Sequence, residues 1–462
     1  MTLSLAVALG IIAVGSFLLA PKVKHAWEFY QGHSPDGQAP GMITLIFSQV
    51  TTWIFARSLL TAAILGYYYG IAGGLAYAAY YLSFFTGGAI IASLRFRHGF
   101  GSIQDFLRDR FGRTGPWAYN LVIGIRLLSE VFANLLVIGL IFGETGTLAY
   151  GLAMGILAAV ILVYSMLGGL RASLRTDVFQ MSVLAALLAY LLAALLTAEG
   201  FAWAPVLSSS PIELQSGWSL LLVALLQVWS YPMHDPVMMD RGFLADRKST
   251  LRSFVHAGWL SIIAIFAFSL LGVYAGLNAL QDEALLDALR RLLGEVPMTA
   301  LSLAFIVSAV STLDSTFSSA AKLSIVDMGL AQPTLRNGRI AMALFMLGGL
   351  AFLFGSSQEL FSAVAVSGTA SMYLAPVIFF SLWSNARVPT WSYWVSFAAA
   401  MAGAALYYTE AGGHTALLEP LTGLSHKYDK LLLISGTVLV AGCGAFAIGL
   451  LTRKAAPLRA SA

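Results

Sequence analysis

The sequence predicts an all-α, polytopic membrane protein: about thirteen transmembrane helices around a core of two five-helix repeats, inverted relative to each other, with the first and sixth core helices broken. Three observations carry this. The 462 residues are 58% hydrophobic and only 10% charged, with a mean hydropathy of +0.80, far outside the range of a soluble domain. Apolar runs of helical length recur about thirteen times along the chain. Two of these runs, five helices apart, are interrupted by polar residues or prolines. Matched interruptions in two halves are the sequence pointer to an inverted repeat with a site at the membrane midplane. Composition also excludes. The single cysteine, Cys443, lies in an apolar run and rules out a disulfide framework or a thiolate metal cluster. The net charge of +4 reflects loop placement and carries no sign of a nucleic-acid partner.

The first run, 3–20, lacks a positively charged start and is followed by Pro21-Lys-Val-Lys24 rather than a small-residue cleavage site. It reads as a retained span with an external N-terminus, and residues 1–41 as an extra helix and linker. Runs at 42–69, 71–94, 117–144, 148–169 and 177–199 make a first five-helix repeat, 42–199. Runs at 217–235, 253–279, 298–322, 338–355 and 359–384 make a second, 200–384, and those at 390–408 and 430–452 close the chain with a basic tail in 385–462. The halves share no evident sequence identity, so the repeat is positional. Orientation follows from Lys and Arg. With the N-terminus outside, the cytoplasmic connections hold Lys22 and Lys24, Arg95 to Arg113, Arg171 and Arg175, Arg241 to Arg252, Lys322 to Arg339, Arg387, and the tail from Arg453 to Arg459. The external ones hold only Arg290, Arg291, Lys427 and Lys430, so the C-terminus is expected in the cytoplasm and the protein in a plasma (inner) membrane. Ser102–Phe111 and Ala284–Leu293 have helical apolar spacing with charges between and read as interfacial helices. The loop from Glu410 to Asp429 reads as a longer external connection.

The interruptions fall at Phe47–Ser58, with Arg57 inside the span, and at Val228-Trp-Ser-Tyr-Pro-Met-His-Asp-Pro236. A third unusual stretch, Ser308–Ser319, carries seven hydroxyls and Asp314 directly out of an apolar run, with no Lys or Arg inside it. A charge at the bilayer centre costs roughly 2.5–3.5 kcal/mol on insertion scales. Ser308, Ser311, Thr312 and Ser315 share one helix face. Oxygen-only ligands of this kind suit a hard cation. The plainer alternative is that the hydroxyls bond their own helix carbonyls and help helices to pack.

Two motifs carry a resemblance. Tyr164-Ser-Met-Leu-Gly-Gly-Leu-Arg-Ala-Ser-Leu-Arg-Thr-Asp-Val-Phe-Gln180 resembles the signature of the sodium:solute symporter family, which includes proline, pantothenate, sialic acid and sodium/glucose symporters. Val310-Ser-Thr-Leu-Asp-Ser315 resembles that family's hydroxyl run on the eighth core helix, with Asp327 at the family's spacing beyond it. The resemblance implies a leucine-transporter-type inverted-repeat fold and a sodium ion bound by the carbonyls of Thr51, Ile54 and Ser308 and the hydroxyls of Ser311 and Thr312. It also implies a second cation position at Asp177, Ser311, Ser315 and Asp314. For Asp177 the alternative is a helix cap, since Asp177-x-x-Gln180 reads as a capping box at a helix start. Where the sugar-transporting relatives carry Gln, Glu and a nearby Ser, this chain has Ser58, Tyr77 and Tyr80, which disfavours a sugar.

Arg57 follows the expected break, where a helix N-terminus adds positive potential, and a guanidinium there grips a carboxylate in two-pronged fashion. Trp53, Tyr77, Tyr80 and Trp229 are the expected walls of a solute pocket. Arg126 and Glu130 stand four apart on one helix, so they are expected to pair and leave Arg57 free; the alternative gives Glu130 to Arg57. His234 and Asp235, flanked by Pro232 and Pro236, are gate candidates alongside Asp240 and Arg241. The expected function is sodium-coupled symport of a small polar organic solute, carboxylate or amino-acid-like. Its rivals are a proton-coupled transporter of the same fold, with Asp177, Asp314 or His234 titrating, and a solute-sensing membrane module. No motif supports an enzyme.

Overall fold

The computed structural model describes residues 2–142, 147–211, 215–352 and 360–455, and among these the chain is helical without strands. Eight helices among the described residues are long and apolar enough to cross a membrane, and the described part of each of the thirteen apolar runs falls mainly on helix. The protein is a polytopic membrane protein. Large apolar side chains such as Leu18, Leu152, Ile263 and Val440 stand half or more exposed, as a lipid-facing belt does.

The first helix, α1 (Thr2–Leu19), leads through the short α2 (Ala26–Gln31) to the first core helix, which comes in two pieces, α3 (Met42–Trp53) and α4 (Ala56–Ala79). Between them Ile54 leaves helical geometry (ψ 72°) and Phe55 is extended (ψ 153°), so the break falls inside the interrupted stretch. Inside α4 the chain turns sharply at Gly70 (φ 60°, ψ −148°), where the first core helix ends and the second begins. Only glycine adopts that geometry without strain. The new helix start is capped from outside: the backbone N–H groups of Ile71 and Ala72 donate to Ser209 and Ser210 hydroxyls, each at 2.9 Å. The second core helix continues through a 3₁₀ turn (Tyr80–Leu82), α5 (Ser83–Ile91) and a π turn (Ala92–Arg97). After the interfacial α6 (Ile103–Phe111), capped by Ser102, come α7 (Thr114–Phe142), α8 (Leu148–Gly168) and α9 (Leu170–Leu196). The capping-box expectation for Asp177 fails here. Gly169 (φ 55°) ends α8 and α9 begins at Leu170, so Asp177 lies two turns inside the helix.

The short α10 (Trp203–Leu207) precedes the second broken helix, α11 (Gln215–Gln227) and α12 (Pro236–Arg241). The gap holds a 3₁₀ turn, Tyr231–His234, and Asp235 caps α12 by accepting from Met238 N–H at 2.9 Å. Pro236 sits at the first helical position, where its missing N–H costs nothing. Then follow α13 (Arg247–Leu277), the short α14 (Leu285–Leu293) and α15 (Glu295–Lys322), which carries the hydroxyl-rich stretch and ends in a π turn, Leu323–Asp327. The remainder is α16 (Leu335–Phe352), α17 (Leu360–Ser371), α18 (Leu374–Pro376) with a π turn at Val377–Trp383, α19 (Thr390–Ala411), α20 (Leu418–Thr422) and α21 (Lys427–Ala455). The loop after α19 is pinned rather than loose: Glu410 pairs with Lys430 at 2.8 Å and accepts from Leu418 N–H at 3.0 Å.

In the core α4 lies along α13, with Gly66 against the Ser269 carbonyl and Gly272 against the Ala63 carbonyl. Small residues at such a crossing let backbones meet, the main device of helix packing in lipid. On the other side α3, α9, α12 and α15 pack together and enclose a cluster of polar groups.

Candidate functional site

The two breaks meet. Trp53, Phe55, Arg57, Ser58, Tyr77, Tyr80, Tyr81 and Tyr231 line one cavity of about 20 Å³, room for about one water molecule. The first four come from the break in the first core helix, Tyr231 from the break in the sixth, and the other tyrosines from the second core helix. Each polar tip is held. Trp53 Nε1 donates to Asp235 at 3.0 Å, Tyr77 to Ser58 at 3.1 Å, Tyr80 to Gln227 at 2.9 Å, and Tyr81 to the Trp53 carbonyl at 2.8 Å. Of the expected walls, Trp53, Arg57, Ser58, Tyr77 and Tyr80 are brought together, while Phe55, Tyr81 and Tyr231 were missed. Trp229 is not among the lining residues. It is 41% exposed and packs on Phe379 and Trp383, because α11 has already ended at Gln227 and the chain turns outward there.

The charges beside the cavity pair as expected only in part: Arg126 and Glu130 do form an ion pair, but Glu130 also pairs with Arg57. Arg57 Nη2 lies 2.6 Å from Glu130 Oε1, and Arg126 Nη2 lies 2.5 Å from Asp235 Oδ2 but 3.4 Å from Glu130. The broken sixth helix brings Asp235 within reach of Arg126, so Glu130 is shared and lies nearer to Arg57. Arg57 is therefore not free, although its Nε and the Glu130 Oε2 are buried without a hydrogen-bond partner. Arg126 also donates to Tyr231 and Ser367, each at 3.1 Å, so α7 is tied to both the break and α17. His234 is buried and shares a hydrogen bond with Ser367 at 3.2 Å.

Toward α15 the expected cation ligands fall into two groups. Ser308 donates its hydroxyl to the Ile54 carbonyl, and Thr312 donates to the Ser308 carbonyl at 2.9 Å. Ile54, Ser308 and Thr312 thus form one chain of oxygens from the break into α15. Thr51 is buried nearby in α3 with its hydroxyl unpartnered. Ser311 turns away and donates to Asp177 Oδ1 at 2.8 Å. Asp177 also accepts from Ser48 at 2.6 Å, and Asp314 accepts from Tyr164 and Thr176, each at 2.8 Å. Among these acidic residues lies the Arg241 guanidinium, wholly buried. From the sequence Arg241 is expected in a cytoplasmic connection beside the gate candidates, not at the second cation position. The signal that would have found it is Asp235-Pro236, a helix start that carries the next residues on as far as Arg241.

On the expected cytoplasmic side a larger cavity, about 690 Å³, is lined by residues including Trp27, Tyr30, Arg108, Phe243, Lys322 and Asp327. Lys322 pairs with Asp240 at 2.8 Å and Asp327 at 3.1 Å, and Ser319 donates to Asp240 at 2.8 Å, which fastens α12 to the C-terminal end of α15.

No protein-family model matches the sequence, and no curated protein does. Solved structures do. One is a Na⁺-coupled sialic acid symporter in a substrate-bound outward-open state, with a TM-score of 0.68 and 13% identity over 96% of this chain and 97% of that one. Another is a nucleobase-cation-symport-1 family transporter in a closed conformation with bromovinylhydantoin bound, with a TM-score of 0.58 and 16% identity over 94% of this chain and 95% of that one. The chain has the fold of these transporters along nearly its whole length.

Proposed function

We propose that this chain is a secondary active transporter that couples inward sodium flow to uptake of a small polar solute bearing a carboxylate, amino-acid-like rather than sugar-like. The observation that carries this is the oxygen chain from the Ile54 carbonyl through Ser308 to Thr312. A broken helix frees carbonyls at membrane depth, which is tolerated where they line protein or a site, and a donor set made only of carbonyls and hydroxyls fits a hard cation. The ligands would be the carbonyls of Thr51, Ile54 and Ser308 with the hydroxyl of Thr312; Ser311, whose hydroxyl donates to Asp177, would join them only by turning from that bond.

Coupling follows from the sharing of one break. Ile54 offers its carbonyl to the cation position, while its neighbours Trp53, Phe55 and Arg57 are walls of the solute cavity. A cation that fixes Ile54 therefore fixes those walls, and a solute that fixes the walls fixes Ile54; each raises the other's affinity by the same factor. The solute class follows from the unpartnered atoms: Arg57 Nε is a spare donor for a carboxylate, and Glu130 Oε2 a spare acceptor for an ammonium. The aromatic walls fit an apolar body between them. In this reading Asp235, tied to Trp53 and Arg126, and Asp240, tied to Lys322, close the path towards the larger cytoplasmic cavity. The fold likeness to a Na⁺-coupled symporter supports the reading. Thermal unfolding of the purified protein tests it: amino acids and small carboxylates should raise the unfolding temperature more in sodium than in choline. Equal stabilisation in both salts would contradict it.

A further inference from the structure

Arg241 ends α12 with no exposed surface. A buried guanidinium costs several kcal/mol unless its surroundings return charge and hydrogen bonds. Four helices return them here. Nε donates to Ser48 of α3 at 3.1 Å, and Nη1 to the Val237 carbonyl of its own helix at 3.1 Å. Nη2 donates to Ser315 of α15 at 2.9 Å and to Ser173 of α9 at 3.2 Å, and stands 3.7 Å from Asp177 Oδ2. Ser173 and Ser315 themselves share a hydrogen bond at 2.7 Å. Without the guanidinium this is an oxygen-only cage with one carboxylate, Asp177, and a second, Asp314, behind Ser315, which donates to it at 3.3 Å; such a donor set fits a hard monovalent cation.

We infer that Arg241 is a built-in cation that holds the second cation position between α9 and α15, so that no free ion binds there, and that the position becomes an exchangeable cation site once the guanidinium is removed. The two occupants exclude each other, because the guanidinium consumes the oxygen lone pairs an ion would need. The charge is also tethered to the broken sixth helix. When α12 leaves α9 and α15, its positive charge leaves with it, whereas a free ion would be released. The inference rests on the proposed function only for the identity of the ion.

The test is a count of sodium bound to the purified full chain by equilibrium dialysis against radioactive sodium, with choline keeping ionic strength constant. Arg241→Ser should bind one sodium more than the wild type, and Arg241→Ser/Asp177→Asn should lose that extra ion. Equal counts in the wild type and a folded Arg241→Ser, or an extra ion that survives in the double variant, would overturn the inference. Two ions in the wild type would overturn it while sparing the proposed function. None in the wild type and one in Arg241→Ser would do the reverse. If Arg241→Ser is unfolded in choline, sodium should restore its thermal transition while leaving Arg241→Lys no more sodium-dependent than the wild type. Unfolding at every sodium concentration, with Arg241→Ser/Asp177→Asn folded, would mark a purely structural ion pair and overturn the inference.

Discussion

Ser311 and Thr312 are neighbours in sequence with different duties. Thr312 bonds the Ser308 carbonyl one turn back in its own helix, beside the Ser308 hydroxyl that reaches the break, while Ser311 bonds Asp177. Thr312→Ala should therefore raise the sodium needed for half-maximal uptake by about tenfold or more, taking roughly 1.5–3 kcal/mol for a bond to a charged partner; Ser311→Ala should raise it less. Sodium titrations of initial uptake rate check this, and equal shifts would move Ser311 into the Ile54 group. Glu130 is the sole carboxylate within ion-pair distance of Arg57 among the described residues. Glu130→Gln should cost about 3–5 kcal/mol by leaving a buried charge uncompensated, and Arg57→Gln on the same background should return part of that in denaturant or thermal unfolding. A solute carboxylate on Arg57 remains a proposal, and of the two pairings the sequence offered, the alternative that gives Glu130 to Arg57 is the closer one. The sequence could not decide between them, because the nearness of Asp235 to Arg126 depends on how the sixth core helix is interrupted.

At the scale of elements the breaks are the organising feature. The polar and β-branched run before Arg57 located the first to within a few residues, and the prolines flanking His234 and Asp235 located the second. What the runs concealed was direction. Trp229 reads as a pocket wall until α11 is seen to stop at Gln227, and Asp177 reads as a cap until Gly169 is seen to start α9 early. Asp235-Pro236 announces the helix that ends at Arg241, but nothing local announces its partners on α3, α9 and α15. Gly70 makes the turn between the first two core helices at a positive φ. Gly70→Ala should destabilise by about 1–3 kcal/mol from backbone strain alone, and more from its crowding against Ser209 and Ser210. Thermal unfolding of the purified variant reads this directly; an unchanged transition would mean the turn is not held as described.

For the whole molecule, the all-helical polytopic character was the most legible property, since the described part of each apolar run falls mainly on helix. That is expected where lipid leaves the backbone no alternative to satisfying its own hydrogen bonds. Orientation remains a reading of Lys and Arg, and it makes a prediction. With Cys443 replaced, a membrane-impermeant maleimide should label Arg290→Cys in intact cells and label Arg252→Cys only after the membrane is opened. The reverse pattern would invert the topology and put the 690 Å³ cavity outside.

The central claim is that sodium bound at the break in the first core helix drives the solute. Its most direct test is uptake of an amino-acid-like carboxylate into vesicles holding the purified chain, at fixed pH, with sodium outside only. The account predicts accumulation above equilibrium that collapses when sodium is equal on both sides. Accumulation indifferent to sodium and driven by a proton gradient instead would contradict it.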